Sequence, residues 1–177
     1  TSASELLRFR QLVVNTIIAT DIFDPDLAQR RMDRWKLAFE SEDDVVKTLD
    51  DVSRKAAIVF EHLIQASDIA HTMQHWQVFV KWNERLFQEM VTAYRQGRLP
   101  QDPSIHWYTS ELSFFENYII PLAKKLKDCG VFGVSKDEYL NYALQNRKEW
   151  CVRGEKIVEE MKQRFEEKEG ALPPSDV

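Results

Sequence analysis

Apolar residues recur along this chain at the three- and four-residue spacing of helices, and no stretch alternates in the manner of a half-buried strand. Leu6, Leu7, Leu12, Val13, Val14, Ile17 and Ile18 form one apolar face, with Ser4 as its predicted N-cap and an end near Thr20 and Asp21. Asp24 and Pro25 restart the chain as cap and first helical residue of a helix over about 25–40, which carries Leu27, Met32, Trp35, Leu37 and Phe39. The acidic run Glu40–Asp44 predicts a solvated break, and a long helix comes next, from about 45 or 51 to 70. Another covers about 74–97 and closes at Gly97, before the Leu99–Pro103 loop. From about 104 to 128 the pattern is helical and aromatic, with Pro121 predicted to kink it and Cys129-Gly130 to end it. Ser135–Glu138 reads as a capping box opening the last helix, about 136–167, and Gly170–Val177 as a frayed tail.

The central stretch is Ala56–Met90, almost wholly apolar until Asp68. An ionised Asp inside a packed apolar helix costs several kcal/mol unless a cation or hydrogen-bond donors offset it. Asp68 is therefore expected to be a metal ligand, with the next helix as one wall of a pocket. The plainer alternative makes Asp68 the polar end of its helix, serving as N-cap to the next segment.

Composition narrows the classes. The length of 177 residues fits one domain, and an apolar content of 44% with five Trp and ten Phe argues for a packed core rather than disorder. A net charge of −5 speaks against a nucleic-acid partner. Cys129 and Cys151 lack metal-type spacing, which suggests a reducing, intracellular and hence cytoplasmic setting. No apolar run approaches the about 20 residues of a membrane span, and the N-terminus shows no signal-peptide pattern.

Five segments, in order, carry a resemblance. Gln65–His71 resembles the A-D-[IL]-S-[HN] stretch of class I 3′,5′-cyclic-nucleotide phosphodiesterases. Thr16–Ile22 is similar to that family's I-[IL]-A-T-D-[ML] helix end, and Trp76–Met90 to its W-x-x-x-[LI]-x-x-E-[FM] helix. Ser110–Leu122 is similar to its S-Q-x-G-F-[IL]-x-x-[IV]-x-x-P-[LT] helix, and Asn146–Trp150 to its N-R-x-x-W. Together the matches span about residues 10–155. The resemblance implies an all-α, multi-helix orthogonal assembly in which residues 1–170 form the C-terminal half of a larger catalytic domain and 171–177 a flexible tail. That domain begins with H-N-x-x-H and a later H-D pair, expected to precede Thr1.

The implied activity is metal-dependent hydrolysis of cAMP and/or cGMP to the 5′-monophosphate, with Zn²⁺ and Mg²⁺ as cofactors. A bridging water ionised by two cations attacks phosphorus. The partners implied are the cyclic nucleotide and the N-terminal half of the same domain; a homodimer is one assembly open to it. By the same resemblance Asp68 is the fourth protein ligand of the zinc-like metal and Thr20 lies near the second metal, acting through water. His71 sits beside the base, and Phe79, Trp82, Asn83, Leu86 and Met90 wall the pocket. At about 3.6 residues per turn, positions 79, 82/83, 86 and 90 share a face, although without the resemblance an ordinary core helix is the preferred reading of that spacing. Phe114 stacks on the purine, with Leu86 as the other jaw of a clamp. No catalytic residue is expected in this half, so the chain alone is expected to be inactive.

Glu111 departs from the pattern, since the family has Gln there. An amide both donates and accepts, whereas an ionised Glu only accepts, and burial that keeps it protonated restores one donor. Ser113 stands for the family's Gly, and Thr72 for its Pro. A rival reading is a diverged, non-catalytic helical module used for interaction or regulation. His71 and His75 form an H-x-x-x-H pair with no third ligand nearby in sequence. His62 and His106 read as core or surface histidines, and Cys151 lacks the paired His a nucleophile needs.

Overall fold

The computed structural model describes residues 2–40 and 49–170, and among these it contains helices and turns but no strand. The fold is all-α. The predicted acidic break at 41–44 and the tail 171–177 lie outside the described residues. The chain divides into two compact units, one of residues 1–70 and 124–136, the other of residues 71–123 and 137–177.

The first unit contains α1 (Ala3–Ala19), α2 (Pro25–Phe39) and α3 (Leu49–Asp68). The cap of α1 is Ser2 rather than Ser4: its hydroxyl accepts the Glu5 N–H while the Glu5 carboxylate accepts the Ser2 N–H, a reciprocal box that Ser4 is placed too late to make. Asp24 caps α2 through the Asp26 and Leu27 amides, with Pro25 at the first position as predicted. α3 is tied to α1 by the Gln65 amide donating to the Ala19 carbonyl at 2.8 Å, and to α2 by Arg34, which donates to both Glu61 oxygens at 2.8 and 3.0 Å.

A small core of Trp35, Ala38 and Ile58, joined by Phe39 and Cys129, holds this unit. His62 is buried against it, its ring tilted on Trp35, its Nδ1 2.8 Å from the Ile58 carbonyl and its Nε2 3.4 Å from Lys125 Nζ. Burial, reinforced by the charges of Lys125, Arg31 and Arg34, lowers its pKa to about 4 against the pull of the Ile58 carbonyl. The folded state therefore binds fewer protons than the unfolded chain between about pH 6.5 and 4. Its contribution is fully present above pH 6.5 and is lost as pH falls through 4, on the order of 3 kcal/mol. Urea titrations at pH 7 and 4.5 should show the wild type losing on the order of 2–3 kcal/mol more than His62→Gln. Equal losses would remove His62 from the acid sensitivity.

The second unit contains a 3₁₀ turn Ala70–Met73, α4 (Trp76–Arg95), α5 (Trp107–Phe114), a π turn Phe115–Ile119, and α7 (Glu138–Gly170); α6 (Ile120–Asp128) continues from the π turn. α4 ends at Gly97, which takes φ +73° so that its N–H and that of Arg98 reach the Tyr94 and Ala93 carbonyls. The break expected from Pro121 takes the form of the π turn. Proline has no N–H to offer the carbonyl four residues back, and the wider turn, closed by the Ile120 N–H on the Phe115 carbonyl, absorbs the mismatch. The last helix starts later than the capping-box pattern predicts: Ser135 lies in a 3₁₀ turn, and the first helical bond runs from the Asn141 N–H to the Asp137 carbonyl.

Aromatic rings fill this unit. Phe79 packs edge-on against Phe115 and Trp150 at 5.3 and 5.5 Å, and Phe87 against Trp107 at 5.2 Å. Gly154 lets α7 approach α5: a Cβ there would stand 2.9 Å from both the Trp150 and the Tyr108 rings. Ion pairs from Arg164 to Glu84, Arg95 to Glu166 and Glu169, and Arg147 to Glu116 lie on the surface. Among the described residues, no helix is long and apolar enough to cross a membrane.

Candidate functional site

The sequence-predicted site residues fall into both units. In the first, Asp68 is the last residue of α3 and is exposed, not enclosed by the apolar run before it. That corrects the burial argument: water already solvates the carboxylate, so no desolvation cost demands a cation. Thr20 is the exposed C-cap of α1, its hydroxyl donating to the Ile17 carbonyl at 2.8 Å. An open groove of about 670 Å³ lies between α1 and α3, lined by Leu7, Leu12, Val52 and Phe60 with Arg8, and neither Asp68 nor Thr20 borders it.

In the second unit the predicted wall of α4 divides in two. Phe79 and Asn83 share the buried face with Phe87 and Val91, each four residues from the last. Trp82 and Leu86, at 48% and 42% exposure, turn away from that core, and the Arg85 guanidinium lies 4.7 Å over the Trp82 ring. The one face expected for 79, 82, 83, 86 and 90 is thus a core stripe beside a solvent stripe, because 82 and 86 sit about 100° from 83 and 87 around the helix. Met90, half-buried, borders a separate open cavity of about 690 Å³ with Phe165 and Arg98. Phe114 stacks on Tyr118, centroids 5.2 Å apart, and lines a groove of about 550 Å³ with Ser110, Ser113 and Asn117.

His71 lies in the 3₁₀ turn, half-buried, its ring parallel to Phe79 at 6.4 Å, and burial lowers its pKa. His75 precedes α4 and faces Tyr142, with Nε2 3.1 Å from the hydroxyl. The H-x-x-x-H pair therefore does not share one helix turn. Among the described residues no group of three or more His, Cys, Asp or Glu side chains stands together to hold a metal. Asp68 alone is not a metal site.

Glu111 and Asn83 come together. Glu111 is on the buried side of α5, 8% exposed, and burial raises its pKa to about 7, with the Asn83 side chain opposing the shift. Asn83 is 1% exposed; its Oδ1 accepts the Trp107 indole N–H at 3.0 Å, while its Nδ2 makes no hydrogen bond of normal geometry. Trp107 carries no predicted role, although a buried indole N–H one helical turn before Glu111 must find an acceptor. The N-R-x-x-W segment proves structural: Asn146 Nδ2 donates to the Thr72 and Gln74 carbonyls at 2.9 and 2.8 Å, Arg147 pairs with Glu116, and Trp150 is in the core.

A family model described as 3′5′-cyclic nucleotide phosphodiesterase matches residues 1–131. The chain belongs to this phosphodiesterase family. No curated protein and no solved structure matches it. The family match takes in the segments holding Thr20, Asp68, the α4 positions and Phe114. It stops before Asn146–Trp150, the last of the five segments of resemblance. Members of this family are metal-dependent as a class.

Proposed function

We propose that the chain is the C-terminal half of a cyclic-nucleotide phosphodiesterase domain and contributes to hydrolysis of a 3′,5′-cyclic nucleotide, cAMP or cGMP, to the 5′-monophosphate. The observation that carries this reading is the family match over residues 1–131. In it Asp68 would supply one carboxylate to the metal pair, Zn²⁺ and Mg²⁺, whose chemistry would be to activate water and neutralise the phosphate. The exposure of Asp68 is compatible with that duty, since a ligand must be reachable by groups outside its own helix. Thr20 is the residue that would act through water toward the second cation. Phe114 offers the base an apolar face, and Glu111, held beside Asn83, meets its polar edge. His71, on Phe79, shapes the margin of the same pocket.

Catalysis needs three further metal ligands and a proton donor for the leaving O3′, which this reading assigns to sequence upstream of Thr1. Incubated with cyclic AMP or cyclic GMP and Mg²⁺, the 177 residues alone should release no nucleoside monophosphate above buffer. The full-length protein should turn over at least one of the two, and Asp68→Ala in it should lower kcat/KM by more than about a hundredfold. Turnover by the 177 residues alone would sink the half-domain reading. An upstream sequence without H-N-x-x-H and H-D, together with an inert full-length protein, would leave the non-catalytic module instead.

A further inference from the structure

Arg30, Arg31 and Arg34 stand close together on α2, and all three line one pocket of the first unit. The pocket lies between α1, α2 and α3 and measures about 140 Å³. Like charges one turn apart on a helix repel, so Arg30 and Arg34 cost α2 stability unless an anion offsets them. Glu61 offsets only one. It is 3% exposed, and both its oxygens accept from Arg34 Nη1, at 2.8 and 3.0 Å. That pairing engages Glu61 fully and leaves Nη2 and Nε of Arg34 without a partner among the described residues. Arg31 donates through Nη2 to the Asp21 backbone carbonyl at 3.0 Å, a neutral group. Arg30 is exposed and makes no hydrogen bond or ion pair among the described residues; Asp26, one turn before it on α2, does not line the pocket. Asn15 adds an amide whose Oδ1 accepts from Gln11 Nε2 at 3.1 Å, which leaves its NH₂ group to donate.

The lining thus sets three positive charges against one negative, with its carboxylate already engaged and most of its donors not. That set fits an anion with several oxygens. Guanidinium groups present planar arrays of N–H donors that match the edges of an oxyanion, and such charge-assisted hydrogen bonds are the strong ones. The volume takes a phosphate-sized group and leaves anything attached to it outside. We propose that the pocket between α1, α2 and α3 binds a compact phosphate-type oxyanion, held by the guanidinium groups of Arg30, Arg31 and Arg34 and by the Asn15 amide. Glu61 does not touch the ligand; it holds Arg34 in place. The oxyanion is free inorganic phosphate or the phosphate end of a larger monoester, which offer the pocket the same chemistry. None of these residues takes part in the hydrolysis proposed above.

The test uses the full-length protein and reads each arginine separately. Phenylglyoxal modifies accessible guanidinium groups, and peptide mass spectrometry gives the rate at each position. Sodium phosphate, compared with sodium chloride at equal ionic strength, should slow modification of Arg30 by about five- to tenfold. Arg10, exposed on α1 and outside the pocket, should change by less than about twofold. Adenosine 5′-monophosphate distinguishes the two sources: protection by the nucleotide assigns the phosphate end of a monoester, and protection by inorganic phosphate alone assigns the free anion. Calorimetric titration of inorganic phosphate, with EDTA present so that no metal ion competes for it, gives a second reading. Arg30→Gln should weaken that binding by about five- to tenfold. Arg30 is exposed and unpaired among the described residues, so the variant keeps the fold. Equal rates at Arg30 in phosphate, nucleotide and chloride overturn the proposal, as does Arg10 protected as strongly as Arg30. An Arg30→Gln protein that binds phosphate as tightly as the wild type overturns it too.

Discussion

Glu111→Gln should stabilise the protein at pH 8 and leave it unchanged at pH 4.5. Burial raises the Glu111 carboxyl to about 7 from an ordinary 4.5, so the folded state holds its proton over a range in which the unfolded chain has already released it. For a group raised in this way, stability is fully present below the unfolded value and declines as pH rises to the folded one. At pH 8 the ionised, buried form costs on the order of 3 kcal/mol relative to the neutral one. Glutamine has the same length, never ionises, and can turn its carbonyl to the Nδ2 of Asn83 that now lacks a partner. Urea titrations at the two pH values check this directly, and equal midpoints for wild type and variant at pH 8 would mean that Glu111 is hydrated. On the proposed reading, in which Glu111 meets the base, the same change in the full-length protein should lower KM by roughly five- to a hundredfold for at least one nucleotide at pH 8, where Gln restores a donor that the carboxylate lacks. Toward pH 5.5 the two enzymes should converge, because the protonated wild type regains a donor of its own.

Trp150→Ala should cost about 3–5 kcal/mol, the range for emptying a large buried aromatic site. Trp150 is fully buried, its indole N–H donates to the Tyr108 carbonyl at 3.2 Å, and its ring packs edge-on against Phe79 and lies against the surface of Gly154. Removing it opens a void shared by α4, α5 and α7 and removes the indole hydrogen bond to the Tyr108 carbonyl. Thermal or urea unfolding of the variant, monitored by circular dichroism, checks the value. A loss below about 1 kcal/mol would show that the neighbouring rings collapse into the space, and would remove Trp150 as the keystone of the unit.

The helices themselves are legible in the sequence. Apolar spacing gives α1 through α5 and α7 nearly whole, since each must bury a stripe, and the stripe is written at the helical period. Asp24-Pro25 and Gly97 mark ends correctly because cap and left-handed turn are local chemistry. The ordered motifs identify the phosphodiesterase family, which the family match bears out over residues 1–131. The errors are local competitions between near-equivalent signals. Ser2 and Ser4 both resemble a cap, and only the partner Glu5 decides between them. Ser135 reads as a cap, but the 3₁₀ turn it belongs to takes it out of place.

The sequence by itself determines the class of fold, the family, and the presence of a carboxylate at 111 where a glutamine is expected. Burial is what only the tertiary structure decides, because burial depends on which neighbours close over a side chain, and those come from distant sequence. Asp68 stands at the end of an apolar run and is nevertheless exposed, while Glu111, with polar Ser110 beside it, is enclosed by residues of α4 and α5. Trp82 and Asn83 are adjacent in sequence, yet one faces water and the other the core, because about 100° of helical rotation separates them. The contact between Trp107 and Asn83, 24 residues apart, has no signature in the chain at all: it exists because α5 packs its first turn onto α4, and a buried indole N–H takes the acceptor it meets there.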